Sequence, residues 1–193
     1  MLNSTQEKIL LTASRLFYTQ GIRTTGVDTI IKEAGISKMS LYKYYASKND
    51  LIIAYLLRQE KIYINRYESI ALKIDSPKDK LLAIFDINNE SMESDEYRGC
   101  PFFNALSEFL SDEEPVRKVA LEIFNRLWRL IVNLAEQSEI NQPNSLASQL
   151  TLLLYGSILS EQVNRYAGVA NHAKEIAEIL INTNRTIPTN RET

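Results

Sequence analysis

Residues 38–48 read KMSLYKYYASK, which puts three lysines, three tyrosines and two serines beside Met39 and Leu41. Ammonium groups displace the counterions condensed on a polyanion. Hydroxyls donate to phosphate oxygens, and a methionine can lie against a thymine methyl. If the segment is helical with Leu41 and Tyr45 turned inward, Met39, Ser40 and Lys43 face outward, with Tyr42 and Tyr44 flanking them. That surface suits duplex DNA. Spacing alone leaves two readings open, a DNA-contacting helix or the solvated face of an ordinary bundle. Elsewhere the chemistry is sparse. One cysteine, Cys100, and one histidine, His172, make no metal site. There is no Gly-rich phosphate loop and no histidine beside a carboxylate, so an all-α enzyme is poorly supported. No metal and no cofactor is expected. Cys100 invites a thiol-sensor reading, but a small buried residue explains it as well.

The elements that must position this set are helical. STQE at 4–7, TGVD at 25–28, SKND at 47–50 and SPKD at 76–79 each read as a hydroxyl N-cap followed three residues on by an acid. Pro77 falls at a first helical position. Ile9, Ala13, Leu16 and Phe17 mark one face of a first helix that ends near Gly21. Val27, Ile30, Ile31 and Ala34 mark a short second one that exits at Gly35. Ile36 follows as a buried pivot, and Ser37 as the cap of the lysine- and tyrosine-rich segment. Two short helices joined at a glycine have the layout of a helix-turn-helix, whose second helix enters the major groove. The exposed amides at Gly26 and Val27 offer an anion site. Longer helices are predicted for 48–73, 77–96, from about 114, 145–166 and 169–182, with a short one within 98–110; 184–193 reads as a frayed tail. The fold class is all-α, with roughly nine helices.

The 193 residues carry a net charge of −2, unevenly placed. The first 50 hold seven bases against four acids, and the rest 15 bases against 20 acids. A basic head on an acidic body points to a polyanion partner at the head. With a lone cysteine, no export leader and a longest apolar run (150–159) half of what a bilayer needs, the chain is expected to be cytoplasmic and to have no membrane partner.

The stretch TTGVDTIIKEAGISKMSLYKYYASKNDLI, 24–52, together with KILLTASRLFYTQGIRTTG before it, resembles the DNA-binding domain of the TetR family of bacterial transcriptional repressors. The A-G-I-S turn, the S-L-Y-K-Y-Y block and the S-K-N-D-L exit carry the likeness. The resemblance implies a helix-turn-helix domain over 1–47 and a helical ligand-binding and dimerisation domain over 48–193. It implies a homodimer on a partly palindromic double-stranded DNA operator, released by a small-molecule effector held in the C-terminal bundle. Thr25, Gly26, Ser37, Lys38, Met39, Ser40, Tyr42, Lys43, Tyr44 and Lys48 fall where the family touches DNA. Tyr42 and Lys48 match phosphate holders; Lys38, Met39 and Lys43 match base readers. Tyr44 stands where histidine is common and Met39 where glycine is frequent, departures that bear on which operator is read.

For the effector, the candidates are the aromatics of the bundle, Phe85, Met92, Phe102, Phe103, Trp128 and Tyr155, with Asn104 as a polar anchor on an apolar wall. The same residues read equally as plain core. The two last helices are expected to form the dimer interface through Leu146, Leu150, Leu153 and Leu154, with Gly156, Ser157 and Ser160 allowing close approach and Val169, Ala173, Ile176 and Leu180 on the final helix. Those stripes could also be monomer core. A regulator without a small-molecule ligand, under protein control or constitutive, remains the alternative function.

Overall fold

The computed structural model describes residues 4–165 and 168–183; the tail at 184–193 lies outside the described residues. Nine helices are present among them: α1 (Ser4–Gln20), α2 (Val27–Ala34), α3 (Lys38–Tyr44), α4 (Lys48–Ala71), α5 (Pro77–Met92), α6 (Pro101–Glu108), α7 (Pro115–Gln137), α8 (Pro143–Val163) and α9 (Val169–Thr183). The fold is all-α, as the sequence pattern requires. Among the described residues, no helix is long and apolar enough to cross a membrane.

Local chemistry starts three of these helices, α3, α4 and α5, where it was expected. The Ser37 hydroxyl accepts the Ser40 amide, Ser47 the Asp50 amide and Ser76 the Asp79 amide, at 3.1, 3.1 and 3.3 Å. Gly35 closes α2 in the left-handed conformation at φ 59°, its amide returning to the Ile31 and Lys32 carbonyls. The second predicted cap is corrected. Gly26, not Thr25, caps α2, and no side chain bonds to it.

The chain divides into two compact units. The first runs through Ile62 and adds Cys100–Phe124; the second takes Tyr63–Gly99 and the chain from Asn125 onward. These borders differ from a division at residue 47. The reason is burial, because about 47 residues enclose too little apolar surface on their own. Leu51, Ile52, Tyr55 and Leu56 of α4, Ala105 of α6, and Val116, Ala120 and Ile123 of α7 join Ile9, Leu16, Ile22, Ile30 and Leu41 in one core. The second unit has its own core, built on Leu81, Ile84, Phe85, Ile131, Leu134, Leu146, Leu150, Leu154, Ala173 and Ile181. Leu146, Leu150, Leu154 and Ala173 therefore pack within the monomer. The apolar side chains left in solvent on α8 and α9 are Leu152, Leu159, Val163, Ile176 and Ile179.

Candidate nucleic-acid interface and effector site

In α3, Leu41 is fully buried and Tyr45, just after the helix, nearly so. That anchoring fixes which way the other side chains point. Met39 is 81 % exposed and Tyr42 42 %. Lys38 and Lys43 are exposed, and the Lys43 ammonium lies 5.7 Å from the centre of the Tyr44 ring, which is half-buried against the core. The Ser37 and Ser40 hydroxyls are 2.9 Å apart and share a hydrogen bond while Ser37 caps the helix. Gly26 is exposed, and with no side chain capping it the first amides of α2 have no side-chain acceptor there. Lysines, a phenol, a thioether and a helix N-terminus thus lie on or beside the exposed surface of α2 and α3.

Two of the ten expected DNA contacts have hydrogen-bond partners within the chain's own backbone. Thr25 is buried, and its hydroxyl donates to the carbonyls of Gly21 at 2.7 Å and Leu16 at 3.3 Å, so the side chain ties the α1–α2 turn together instead of facing a duplex. Lys48 is half-buried at the start of α4 and its amine donates to the Arg23 carbonyl at 3.3 Å. Desolvation pushes its pKa down, against the pull of the Glu108 carboxylate, which raises it, and with a smaller push from Arg23.

Sequence reading missed the brace on that same turn. The Glu108 carboxylate, at the end of α6, accepts the amides of Ile22 at 3.0 Å and Arg23 at 2.6 Å. The Arg23 side chain returns the contact, donating to the Glu108 carbonyl at 2.5 Å and to Glu114 at 3.1 Å, with its guanidinium 4.9 Å from the centre of the Phe109 ring. Gly21 makes room for this turn with φ 91°. These partners lie about 85 residues apart in sequence, and no local signal links them.

The seven residues expected to line an effector cavity are divided between the two units. Phe102, Phe103 and Asn104 belong to the first unit, where Phe102 and Phe103 pack on Phe124 with ring centres 6.1 and 4.7 Å apart. Phe85, Met92, Trp128 and Tyr155 belong to the second, where Phe85 is buried in the core and Trp128 and Tyr155 pack half-buried against it. Met92 borders a cavity of about 210 Å³, which it shares with Asn89, Glu93, Glu161, Gly168, Ala170 and Asn171. A second recess of about 500 Å³ lies between Tyr67, Ile74, Lys80 and Leu134. Cys100 is half-buried, and desolvation pushes its thiol up to about 11, which removes the thiolate a sensor needs.

Residues 9–55 match the family model described as bacterial regulatory proteins, tetR family, and residues 77–177 match the tetracyclin repressor-like C-terminal domain. The chain is 29 % identical over 168 residues to an uncharacterized HTH-type transcriptional regulator, YxaF, of Bacillus subtilis, covering 83 % of this chain and 86 % of that one. It is 22 % identical over 179 residues to the HTH-type transcriptional regulator YjdC of Escherichia coli, covering 91 % and 93 %. The crystal structure of SCO4454, a TetR-family transcriptional regulator from Streptomyces coelicolor, superposes with a TM-score of 0.89 at 22 % identity, covering 94 % of this chain and 96 % of that one.

Proposed function

Because the chain belongs to the TetR family of bacterial transcriptional regulators, we propose that it is a homodimeric repressor whose α3 helices read a partly palindromic operator, and that a small molecule held in the second unit releases it. The observation that carries the reading is the outward face of α3, where Met39, Tyr42 and Lys43 stand in solvent over a buried Leu41. Lys38 and Lys43 supply the salt-dependent attraction to phosphates. Met39, at the first turn, is in position to lie against a base edge, and the free first-turn amides of α2 suit a phosphate.

A two-fold reader needs two heads one helical turn of DNA apart, which a symmetric dimer supplies. Pairing through α8 and α9 is supported by the stripe Leu152, Gly156, Leu159, Val163, spaced four, three and four residues apart along α8, beside Ile176 and Ile179 on α9. Gly156 fits this role. A β-carbon there meets nothing within 4 Å in the monomer, so nothing inside the monomer explains a glycine that weakens the helix by about 1 kcal/mol.

The direct test is selection of bound fragments from genomic DNA by the purified protein, followed by fluorescence anisotropy on the recovered site. Tyr42→Phe and Lys43→Ala should each weaken binding, and unchanged binding by both variants sinks the assignment of α3.

A further inference from the structure

A lysine on a surface helix ordinarily sweeps many rotamers, and fixing it against a partner costs that freedom. The two lysines of α3 differ in this respect. Both are exposed, and among the described residues neither has a carboxylate partner; α3 itself, KMSLYKY, carries no acid. Lys43 nevertheless has a neighbour. Its ammonium lies 5.7 Å from the centre of the Tyr44 ring, within reach of the attraction between a cation and an aromatic face. Consecutive helix residues do not face each other, so it is the length of the lysine stem that brings the ammonium to the ring. The ring is itself held. Tyr44 is the last residue of α3 and packs half-buried against the core that contains Ile9, Leu41 and Tyr45. Leu41 anchors the helix one turn earlier, and Tyr45 leaves it in an extended conformation (φ −133°, ψ 107°) to bury its own ring.

We propose that Tyr44 is a positioning residue for Lys43 and, through it, a determinant of which DNA sequence α3 selects. The selectivity rests on the reading of α3 as the DNA-contacting helix; the hold of the ring on the ammonium does not. A lysine free to sweep adds attraction to any duplex, because phosphates line every sequence alike. One whose ammonium is held in place can instead meet the acceptor edge of a base, such as guanine N7 and O6. The two lysines then divide the work. Lys38 supplies general attraction, and Lys43 supplies a directed contact. This role differs from the one the family resemblance implies, in which residue 44 itself touches DNA. The face of the ring is what matters, and the phenol hydroxyl is not needed.

The test has one arm without DNA and one with it. In proton–carbon NMR spectra of the free full chain, the ring current of Tyr44 shifts the Lys43 ε-methylene signals upfield in the parent and in Tyr44→Phe. In Tyr44→Leu they return to the ordinary lysine position. Fluorescence anisotropy then compares the operator recovered by selection with a scrambled duplex of equal length. Tyr44→Leu weakens operator binding about three- to tenfold, the cost of ordering one long side chain on DNA, and leaves the scrambled duplex at the parent affinity. Tyr44→Phe restores operator binding. In a Lys43→Ala background Tyr44→Leu has no further effect, because the contact it would remove is already gone. Unshifted Lys43 signals in the parent, a loss in Tyr44→Phe equal to that in Tyr44→Leu, an equal loss on both duplexes, or the same loss with and without Lys43 each overturns the proposal. Helical circular dichroism checks the variants, and the parent and Tyr44→Phe spectra decide the matter should Tyr44→Leu unfold. If Lys43→Ala weakens operator binding and a folded Tyr44→Leu does not, the proposal fails and the α3 reading stands. If Tyr42→Phe and Lys43→Ala both bind as the parent does, the α3 reading fails and the selectivity with it, while a shifted Lys43 signal still upholds the hold of the ring on the ammonium.

Discussion

Replacing Glu108 by alanine isolates the brace between α6 and the α1–α2 turn. The side chain accepts two main-chain amides, Ile22 in a part-buried setting and Arg23 in an exposed one. A hydrogen bond to a charged acceptor contributes about 1.5–3 kcal/mol when sheltered. Water takes over most of the exposed bond, so the loss is about 2–3 kcal/mol, carried mainly by the Ile22 amide. Against a typical domain stability of about 5–15 kcal/mol, the head stays folded while its turn opens more often. A chain of two units gives no single unfolding transition to rely on. The assay is therefore hydrogen exchange resolved to single amides, where about 2 kcal/mol appears as roughly 30-fold faster exchange at Ile22. Glu108→Gln, which keeps one acceptor but turns an N–H toward the other amide, should fall between parent and alanine variant. Titration of Lys48 gives an independent check, since Glu108 raises its pKa and the alanine variant should lower it further. Parent-like exchange at Ile22 in a folded Glu108→Ala protein would refute the brace.

Lys38→Ala should weaken binding to all DNA sequences alike and reduce the slope of log affinity against log salt by about one per half-site, about two per dimer, measured by anisotropy across a salt series. Gly156→Arg should yield a monomer in sedimentation with the parent's helical circular dichroism, since the monomer leaves that position open and arginine favours a helix over glycine by roughly 0.8 kcal/mol; a dimer of parent affinity contradicts the α8–α9 pairing. Cys100, with its thiol pushed from an ordinary 9.0 up to about 11, should alkylate with iodoacetamide at pH 8 about 100-fold more slowly than a free thiol of ordinary pKa. The folded state favours the neutral thiol, so the associated stability is complete below about pH 9 and is lost as pH rises through 11; Cys100→Ser should flatten that part of the alkaline profile.

Cap chemistry was readable in the sequence because it is local. Ser37, Ser47 and Ser76 each find an amide three residues on, whatever the rest of the chain does. Thr25 shows where that logic fails. Its hydroxyl had a cap position open to it, but the Gly21 and Leu16 carbonyls offered a buried alternative that only the folded turn creates. Helix α8 defeats periodicity for a different reason. It is apolar on nearly every side, so Leu146, Leu150 and Leu154 could not be told from Leu152 and Leu159, and the core took the first set.

In the proposed reading, the core of the first unit bears on how a message would reach DNA. Helices α6 and the early part of α7 supply Ala105, Phe109, Val116, Ala120 and Ile123 to the same core that seats Leu41 under the reading helix. A displacement of α6 cannot be absorbed by a soft linker, because close-packed side chains pass strain on. Glu108 makes the coupling directional, since it grips main-chain amides of the turn that leads into α2 and, through Gly35, into α3. For the proposed dimer, release from a two-fold operator would need little, a coupling of about 1–3 kcal/mol between effector and DNA, because both heads would have to fit at once. A brace of about 2–3 kcal/mol is strong enough to transmit that and weak enough to open. If the brace carries the message, Glu108→Ala should bind operator and still bind effector, while the effector loses most of its power to separate the two.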